Sequence, residues 1–245
     1  MGLALWLDHA SVAVRDLAAA VERLERRLGL RATVSPAAPE RHSRVYLDRS
    51  YVEVSVGETG GGWEASMFFL RFDDPAALRA HLDGAGIGYR FGDYEGVDGT
   101  WDDVEAHLGS VPLPTLIRRT APAAVAGDWP PPLAEPHRCG ARALAAVHVE
   151  VSSLAGSAEA YGRLLGTGPP RPAEAGEVRV PLASGEVVLR EGGVDRIAGI
   201  VLSVRDLGAT RAALGDAIAD TRDGIAWVDP EAASGLPLGF TDGRG

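Results

Sequence analysis

The stretch LDHASVAVRDLAAAVERLERRLGL, residues Leu7–Leu30, decides the fold of this protein. Apolar residues alternate with small or polar ones in its first half, a period of two that predicts a strand with one buried face. In its second half they recur every three or four residues, which predicts an amphipathic helix. Asp16 stands between the two patterns as a predicted N-cap, and Gly29 is the predicted helix end.

The same pattern returns along the chain. The tetrapeptide VRDL at residues 14–17 is repeated at residues 204–207, and weaker echoes, FDDP at 72–75 and VSSL at 151–154, lie between them. Each helix pattern is followed by short β-type stretches, so the repeating unit is β-α-β-β-β. The chain therefore resolves into four repeats, roughly residues 5–58, 65–120, 143–192 and 196–242.

The repeats predict the fold class. A βαβββ repeat of this size cannot bury its sheet face alone, so the repeats should pair into sheets. We expect an α+β fold in which four tandem βαβββ repeats form two pairs with curved mixed sheets. A Pro-rich stretch, residues 121–142, predicts a linker or strap between a domain at residues 1–120 and a second at residues 143–245.

Composition excludes several function classes. The formal charge is -10, which disfavours nucleic acid as a partner. All 24 basic residues are arginine, so a Schiff-base lysine is excluded, and the single cysteine, Cys139, excludes zinc ribbons, iron–sulfur clusters and structural disulfides. With neither an apolar run of spanning length nor a secretion signal, the chain is expected to be cytoplasmic without a membrane partner. We expect a monomer or homodimer with a small-molecule ligand and no organic cofactor.

Two motifs carry a family resemblance. LDHASVAVRDL, followed by YVEVSV at Tyr51–Val56, resembles the glyoxalase-like proteins of the vicinal oxygen chelate superfamily, and the resemblance covers nearly the whole chain. It implies a cleft enclosed by paired βαβββ repeats. In that cleft a divalent ion (Zn, Fe, Mn or Ni) is typically held by His on the first strand and Glu on the last strand of each repeat. Only His9 and Glu53 match those positions, which makes them the predicted catalytic and metal-binding residues.

Strand alternation agrees with that assignment. His9 and Ser11 share one face of the first predicted strand, and Tyr51 and Glu53 share one face of the last. A carboxylate between two valines needs a partner, because a buried charge without one is costly. His9 can supply it, or both residues can bind a metal. The predicted substrate-binding residues are Tyr51, Ser11, Arg118, His107 and His148.

The other repeats depart from the metal-binding pattern. The counterparts of His9 are Met67, Ala146 and Gly199, and those of Glu53 are about Ile117 or Arg118 and, in the third repeat, Val188. A metal site usually needs three protein ligands, so a third would have to come from His107, His148 or His42. Alternatively, the second repeat supplies an anion clamp through Arg71 and one of the adjacent Arg118 and Arg119, which must point to opposite faces of a strand.

These residues leave three functions open. The first is metal-assisted or acid–base isomerase, lyase or dioxygenase chemistry on a small oxygen-rich or carboxylate-bearing metabolite. The second is sequestration of a small molecule by a non-catalytic protein with a degenerate metal site. The third is a metal-free enzyme in which Glu53 acts against an arginine-held carboxylate. A dyad of His137 and Cys139 is also conceivable, although two residues of separation on a loop set no geometry for it.

Overall fold

A computed structural model describes most of the chain. The described residues are 3–34, 40–57, 64–96, 99–108, 111, 113–120, 135–167, 170, 176–233 and 235–243, with side chains excluded at 64–66, 94–96 and 99. Of the predicted linker, residues 121–134 lie outside the described residues.

Each repeat contributes one helix and several strands. The first contains β1 (Trp6–Val14), α1 (Leu17–Leu28), β2 (Thr33–Val34), β3 (His42–Tyr46) and β4 (Tyr51–Val56). The second contains β5 (Glu64–Arg71), α2 (Pro75–Gly84), β6 (Gly88–Gly96), β7 (Gly99–His107) and β8 (Thr115–Arg119). The third contains β9 (Ala141–Val151), α3 (Leu154–Leu165), β10 (Glu177–Pro181) and β11 (Glu186–Glu191). The fourth contains β12 (Arg196–Val204), α4 (Leu207–Leu214), β13 (Ile218–Arg222), β14 (Ile225–Val228) and β15 (Leu238–Thr241).

The predicted α+β fold of βαβββ repeats is confirmed. The strands form one sheet of order β2-β3-β4-β1-β5-β8-β7-β6 and another of order β10-β11-β9-β12-β15-β14-β13. Both are mixed. In the first, β1 and β4 are parallel whereas β3 and β4 are antiparallel, and in the second, β12 and β15 are parallel whereas β10 and β11 are antiparallel. Within the described part of the third repeat, two strands follow the helix instead of three.

Local capping chemistry defines where the helices begin and end. The predicted N-cap at Asp16 is confirmed, because its side chain accepts a backbone N–H of the first helical turn. The other three helices are capped in the same way, by Asp74, Ser153 and Asp206. Gly29 and Gly166 end α1 and α3 at φ 63° and 68°, in the left-handed region that glycine tolerates. α2 differs slightly, since its C-cap is Ala85 and the left-handed glycine, Gly86, follows the cap.

Backbone packing divides the chain into two compact units. The first unit comprises Met1–Asp8, Met67–Ala126 and His148–Ile197, and the second comprises His9–Ser66, Gly127–Val147 and Ala198–Gly245. In the second unit, α1 packs on the face of β3 and β4 that carries Val45 and Val54. In the first unit, Leu70 and Leu116 of the paired strands β5 and β8 are fully buried. The division into domains at 1–120 and 143–245 stays a prediction.

None of the helices in the described ranges combines the length and the apolar character that crossing a membrane requires.

Candidate functional site

A polar face of the first repeat, in the second compact unit, carries the predicted catalytic residues. In the parallel register of β1 and β4, His9 lies beside Tyr51 and Ser11 beside Glu53. In the antiparallel register of β3 and β4, Arg44 lies on the other side of Glu53. Paired residues of neighbouring strands share a face, so all five side chains belong to one surface of the sheet. The opposite surface packs under α1, as the apolar alternation predicted.

Glu53 takes Arg44 as its partner. The Arg44 Nε donates to Glu53 Oε2 at 3.1 Å, and the two side chains are only 15% and 19% exposed. Burial by itself lowers the pKa of Arg44, but Tyr51, Glu53 and Tyr46 offset burial and hold that pKa above its ordinary value. The partner that the sequence interpretation sought from His9 or a metal is therefore a guanidinium.

His9 lies against an aromatic ring. The imidazole stacks on Tyr51 with ring centroids 4.3 Å apart and planes 11° from parallel, and His9 is 6% exposed. Tyr46 packs on the same tyrosine at 6.0 Å, and the Arg44 Cζ lies 5.5 Å from the Tyr51 ring centroid. Offset stacking and cation–π contact stabilise such a cluster and hold its rings in place. Tyr51 is thus the centre of a packed group that contains both His9 and Arg44.

The donor set does not fit a resident divalent ion. Among the residues that the structure describes, no group of three or more His, Cys, Asp or Glu side chains could hold a metal. His42, a predicted third ligand, pairs with Ser55 and so shares the face of Glu53, but Arg44 occupies the position directly opposite Glu53. A divalent cation bound to the Glu53 carboxylate would lie against the Arg44 guanidinium and be repelled by it.

The sequence reasoning missed Arg44, although a signal for it exists. Tyr46 and Tyr51 form the pair that closes the β3–β4 hairpin. Counting two residues outward on each strand places Arg44 opposite Glu53, because side chains two apart share a face. The length of the four-residue connection at 47–50 therefore indicates which residues of β3 and β4 are paired.

Strand register also corrects one counterpart in the second repeat. Ser11 is paired with Glu53, and the counterpart of Ser11, Phe69, is paired with Thr115. Thr115 is therefore the second-repeat counterpart of Glu53, whereas motif alignment indicated Ile117 or Arg118. The alignment failed because the segments between helix and last strand differ in length between the repeats.

The arginines of the predicted anion clamp lie on two different faces. Arg71 and Arg119 share the face of β5 and β8, and each guanidinium lies over an indole ring, at 5.1 and 5.6 Å from its centroid. Arg118 points to the opposite face, where its Nε donates to Asp102 Oδ2 at 2.9 Å. The Arg118 Nη2 also donates to Asp102, so two donors of the guanidinium are engaged there. A role for Arg118 in substrate binding stays a prediction.

The two other predicted histidines lie in the first compact unit. His148 is 3% exposed on β9, two residues before Glu150. Arg196 donates to Glu150 at 2.6 Å, and this hydrogen bond is the main reason that the pKa of Glu150 lies below its ordinary value. His107 is exposed at the end of β7 and lines a cavity of about 320 Å³. Roles for His148 and His107 in substrate binding stay predictions.

His137 and Cys139 do not form a reactive dyad. Both imidazole nitrogens of His137 bond to the backbone of the first repeat, at Arg31 and Tyr46. Cys139 is 2% exposed, and burial raises the pKa of its thiol to about 11. The thiol is therefore protonated at neutral pH, and a protonated thiol is a poor nucleophile.

We expect Cys139 to resist thiol reagents in the folded protein. At about pH 8, Ellman's reagent should label it much more slowly than a free cysteine, because the reagent must reach a buried and protonated sulfur. Denaturation in guanidinium chloride should release the full stoichiometric signal and serves as the control. Rapid stoichiometric labelling of the native protein would contradict this assignment.

Comparison with known proteins agrees with this architecture. A model of the glyoxalase-like domain family matches residues 7–165. A search of curated proteins found no match. Among solved structures, the Mn(II)-bound glyoxalase from Novosphingobium aromaticivorans is similar with a TM-score of 0.68 and 9% identity, covering 99% of this chain and 83% of that one.

Two dioxygenases share the fold as well. The 2,3-dioxygenase LapB from Pseudomonas sp. KL28 has a TM-score of 0.67 and 17% identity over 98% of this chain and 92% of its own. An extradiol ring-cleaving dioxygenase from B. fuscum has a TM-score of 0.62 and 12% identity over 98% of this chain and 72% of its own. At such identities these likenesses establish the fold alone.

Proposed function

Because this chain belongs to the glyoxalase-like domain family of the vicinal oxygen chelate superfamily, we propose that it binds a small oxygen-bearing metabolite, such as a carboxylate, without a resident metal ion. The proposed site is the polar face of the first repeat, formed by His9, Tyr51, Arg44 and Glu53. The observation that carries the proposal is the Arg44–Glu53 ion pair at 3.1 Å.

Arg44 is the anion-binding group of this proposal. A guanidinium presents five N–H donors in a planar fork, which matches the two oxygens of a carboxylate. The bond from Nε to Glu53 fixes the orientation of the fork, so little side-chain entropy is lost when a ligand binds. Burial strengthens the interaction further, because the guanidinium is only 15% exposed and water screens it weakly.

The stacked rings supply the apolar part of the site. His9 and Tyr51 form a stacked pair with ring centroids 4.3 Å apart, and the two residues are 6% and 3% exposed. Rings held in this way favour contact with a planar ligand, since their positions are set before binding. A planar or aromatic carboxylate therefore suits this face better than a compact aliphatic one.

Metal-assisted chemistry is not part of this proposal. The usual carboxylate ligand of the superfamily is engaged by a guanidinium, and Met67, Ala146 and Gly199 stand where the other repeats would supply histidine. We therefore derive no step through a divalent ion, although the same fold includes a Mn(II)-bound glyoxalase.

Acid–base catalysis on the bound metabolite is a second candidate. Glu53 keeps 19% of its side chain exposed and lies beside Ser11 on the same face, within a polar environment. A carboxylate in this setting can accept a proton from a carbon or hydroxyl of the ligand. Turnover that is lost in Glu53→Gln while ligand affinity persists would favour this candidate over simple binding.

Calorimetric titration with benzoate, catechol, lactate and pyruvate tests the proposal. We expect a carboxylate probe, benzoate before lactate, to bind the wild-type protein and to lose at least about tenfold in affinity in Arg44→Gln, because a hydrogen bond to a charged group is removed. The matched control is Arg90→Gln, which removes an exposed arginine paired with Glu105 and should leave affinity unchanged.

Two results would contradict the proposal. One is equal carboxylate affinity in the wild type and in Arg44→Gln. The other is stoichiometric binding of Mn²⁺ or Zn²⁺ to untagged protein that disappears in both His9→Ala and Glu53→Gln, since this would establish His9 and Glu53 as metal ligands.

A further inference from the structure

A buried histidine outside the proposed site docks the segment before β9 onto the first repeat. His137 is 3% exposed. Its Nδ1 accepts the backbone N–H of Arg31 at 2.9 Å, and its Nε2 lies 2.7 Å from the Tyr46 carbonyl oxygen. A carbonyl only accepts, so Nε2 carries the ring proton and Nδ1 has none. The two bonds together therefore require the neutral imidazole.

The same segment holds the β3–β4 turn through several further bonds. The Asp48 N–H donates to the Arg142 carbonyl at 2.6 Å, and the Arg142 Nε donates back to the Asp48 carboxylate at 3.1 Å. The Leu144 N–H donates to Ser50 Oγ at 2.9 Å. Both sides of the turn are thus attached to residues 137–144, which we call the clamp.

The turn connects the clamp to the proposed ligand site. Tyr46 and Tyr51 are the paired residues on either side of it, and their rings lie 6.0 Å apart. Tyr51 in turn stacks on His9 and contacts Arg44. His137 bonds the carbonyl of Tyr46 itself, so movement of this carbonyl moves the base of the aromatic group.

Charged groups face His137 from several packed segments, and Arg205 and Asp206, which precede α4, line the same cavity as His137. Arg31 precedes β2 and its guanidinium bonds Glu135, while Asp48 of the turn is paired with Arg142. Arg138, the next residue along, directs its guanidinium to carbonyls at the end of α1. Burial most strongly lowers the pKa of His137. The Tyr46 carbonyl and Asp48 oppose this and Arg31 adds to it, leaving the pKa below its ordinary value.

We propose that His137 is a positioning residue that holds the Tyr46–Tyr51 turn only in its neutral form, so that the ligand site loosens when the imidazole is protonated. The loosening of the ligand site rests on the proposed function, whereas the role of His137 in holding the turn does not. A proton on Nδ1 converts an acceptor into a donor that faces the Arg31 N–H, and the bond between them is lost.

The sign of the pH dependence follows from the direction of the pKa. A histidine whose folded pKa is depressed stabilises the folded form fully above the unfolded value of about 6.5. As pH falls below this value, the form in which the His137 bonds are broken takes up a proton at a higher pH than the bonded form does. The contribution is therefore lost progressively from about pH 6.5 down to the folded pKa.

Hydrogen–deuterium exchange of the 45–52 peptide, corrected for intrinsic exchange, tests the clamp without any ligand. Between about pH 7.5 and pH 5.5, wild-type protection should fall by about tenfold, because one buried hydrogen bond is lost. His137→Gln keeps a donor and an acceptor but does not titrate, and should show no such fall. The other five of the six histidines are the same in both proteins. His137→Phe removes both bonds and should show low protection at either pH.

The outcomes separate the clamp from the proposed function. The same pH dependence in wild type and His137→Gln, or full protection in His137→Phe, would contradict the proposal that neutral His137 holds the turn. That conclusion would stand whatever the ligand results show. A benzoate titration at both pH values then tests the consequence: affinity in the wild type should fall about tenfold more than in His137→Gln. If exchange behaves as expected but affinity does not follow it, the clamp does not control the site and the positioning role is overturned.

Discussion

Replacing Arg44 with methionine is expected to lower the free energy of unfolding by about 2 kcal/mol. The change leaves the Glu53 carboxylate mostly buried without its partner, and breaking a fully buried pair costs about 3–5 kcal/mol. The smaller figure applies here because the two side chains keep 15% and 19% exposure. Urea denaturation measures the effect, and thermal unfolding should show a decrease in Tm of about 4–8 °C.

A double-mutant cycle isolates the ion pair from other effects. We expect Arg44→Met/Glu53→Leu to recover most of the lost stability, because replacing both partners with apolar groups removes the uncompensated charge. The coupling between the two sites should then be about 2 kcal/mol. A matched cycle on the exposed Arg90–Glu105 pair should show no measurable coupling. Additive effects of the Arg44 and Glu53 substitutions would mean that the pair contributes nothing specific.

Placing histidine at Gly199, the fourth-repeat counterpart of His9, is expected to destabilise the protein by about 3 kcal/mol without creating metal affinity. A Cβ at Gly199 would lie 3.1 Å from Trp227 Cζ3 and 3.2 Å from its Cη2. A Cβ at Gly239 would likewise meet the same indole at 3.2 Å and Ile225 at 2.6 Å. The indole thus lies across two glycines, and overpacking such a contact costs roughly 1–3 kcal/mol or more.

Thermal unfolding of Gly199→His should show a decrease of about 6–12 °C in Tm. Gly193→His is the matched control, because nothing lies within 4 Å of a Cβ at that exposed glycine. Adding Trp227→Ala should make the histidine less costly than in the single variant, since the indole is the obstacle. A stable Gly199→His protein that binds Zn²⁺ stoichiometrically would show that the fourth repeat still accommodates a metal ligand.

Capping and alternation made much of the fold predictable. Asp16 and Ser153 satisfy backbone donors of the turn that directly follows them, and Gly29 needs only its own left-handed conformation. The alternation in β1 and β4 likewise depends on neighbours one and two residues away. These interactions lie within a few residues, so a single sequence contains them completely.

The membership of the polar face was predictable for the same reason. His9, Ser11, Tyr51 and Glu53 share a face because strand periodicity places them there, and the β1–β4 register agrees. Their roles in binding or catalysis stay predictions. What the sequence could not decide is which partner each polar group takes, because several candidates lie within reach of one carboxylate.

The sequence by itself determined the repeat, the helix ends and the face on which His9 and Glu53 lie, since each follows from short-range periodicity and capping. Only the tertiary structure decided that Glu53 is paired with Arg44, that Trp227 covers Gly199, and that His137 reaches Tyr46 across 91 positions of sequence. These contacts join separate strands and segments. They depend on register and packing between elements, which alternation within one element does not specify.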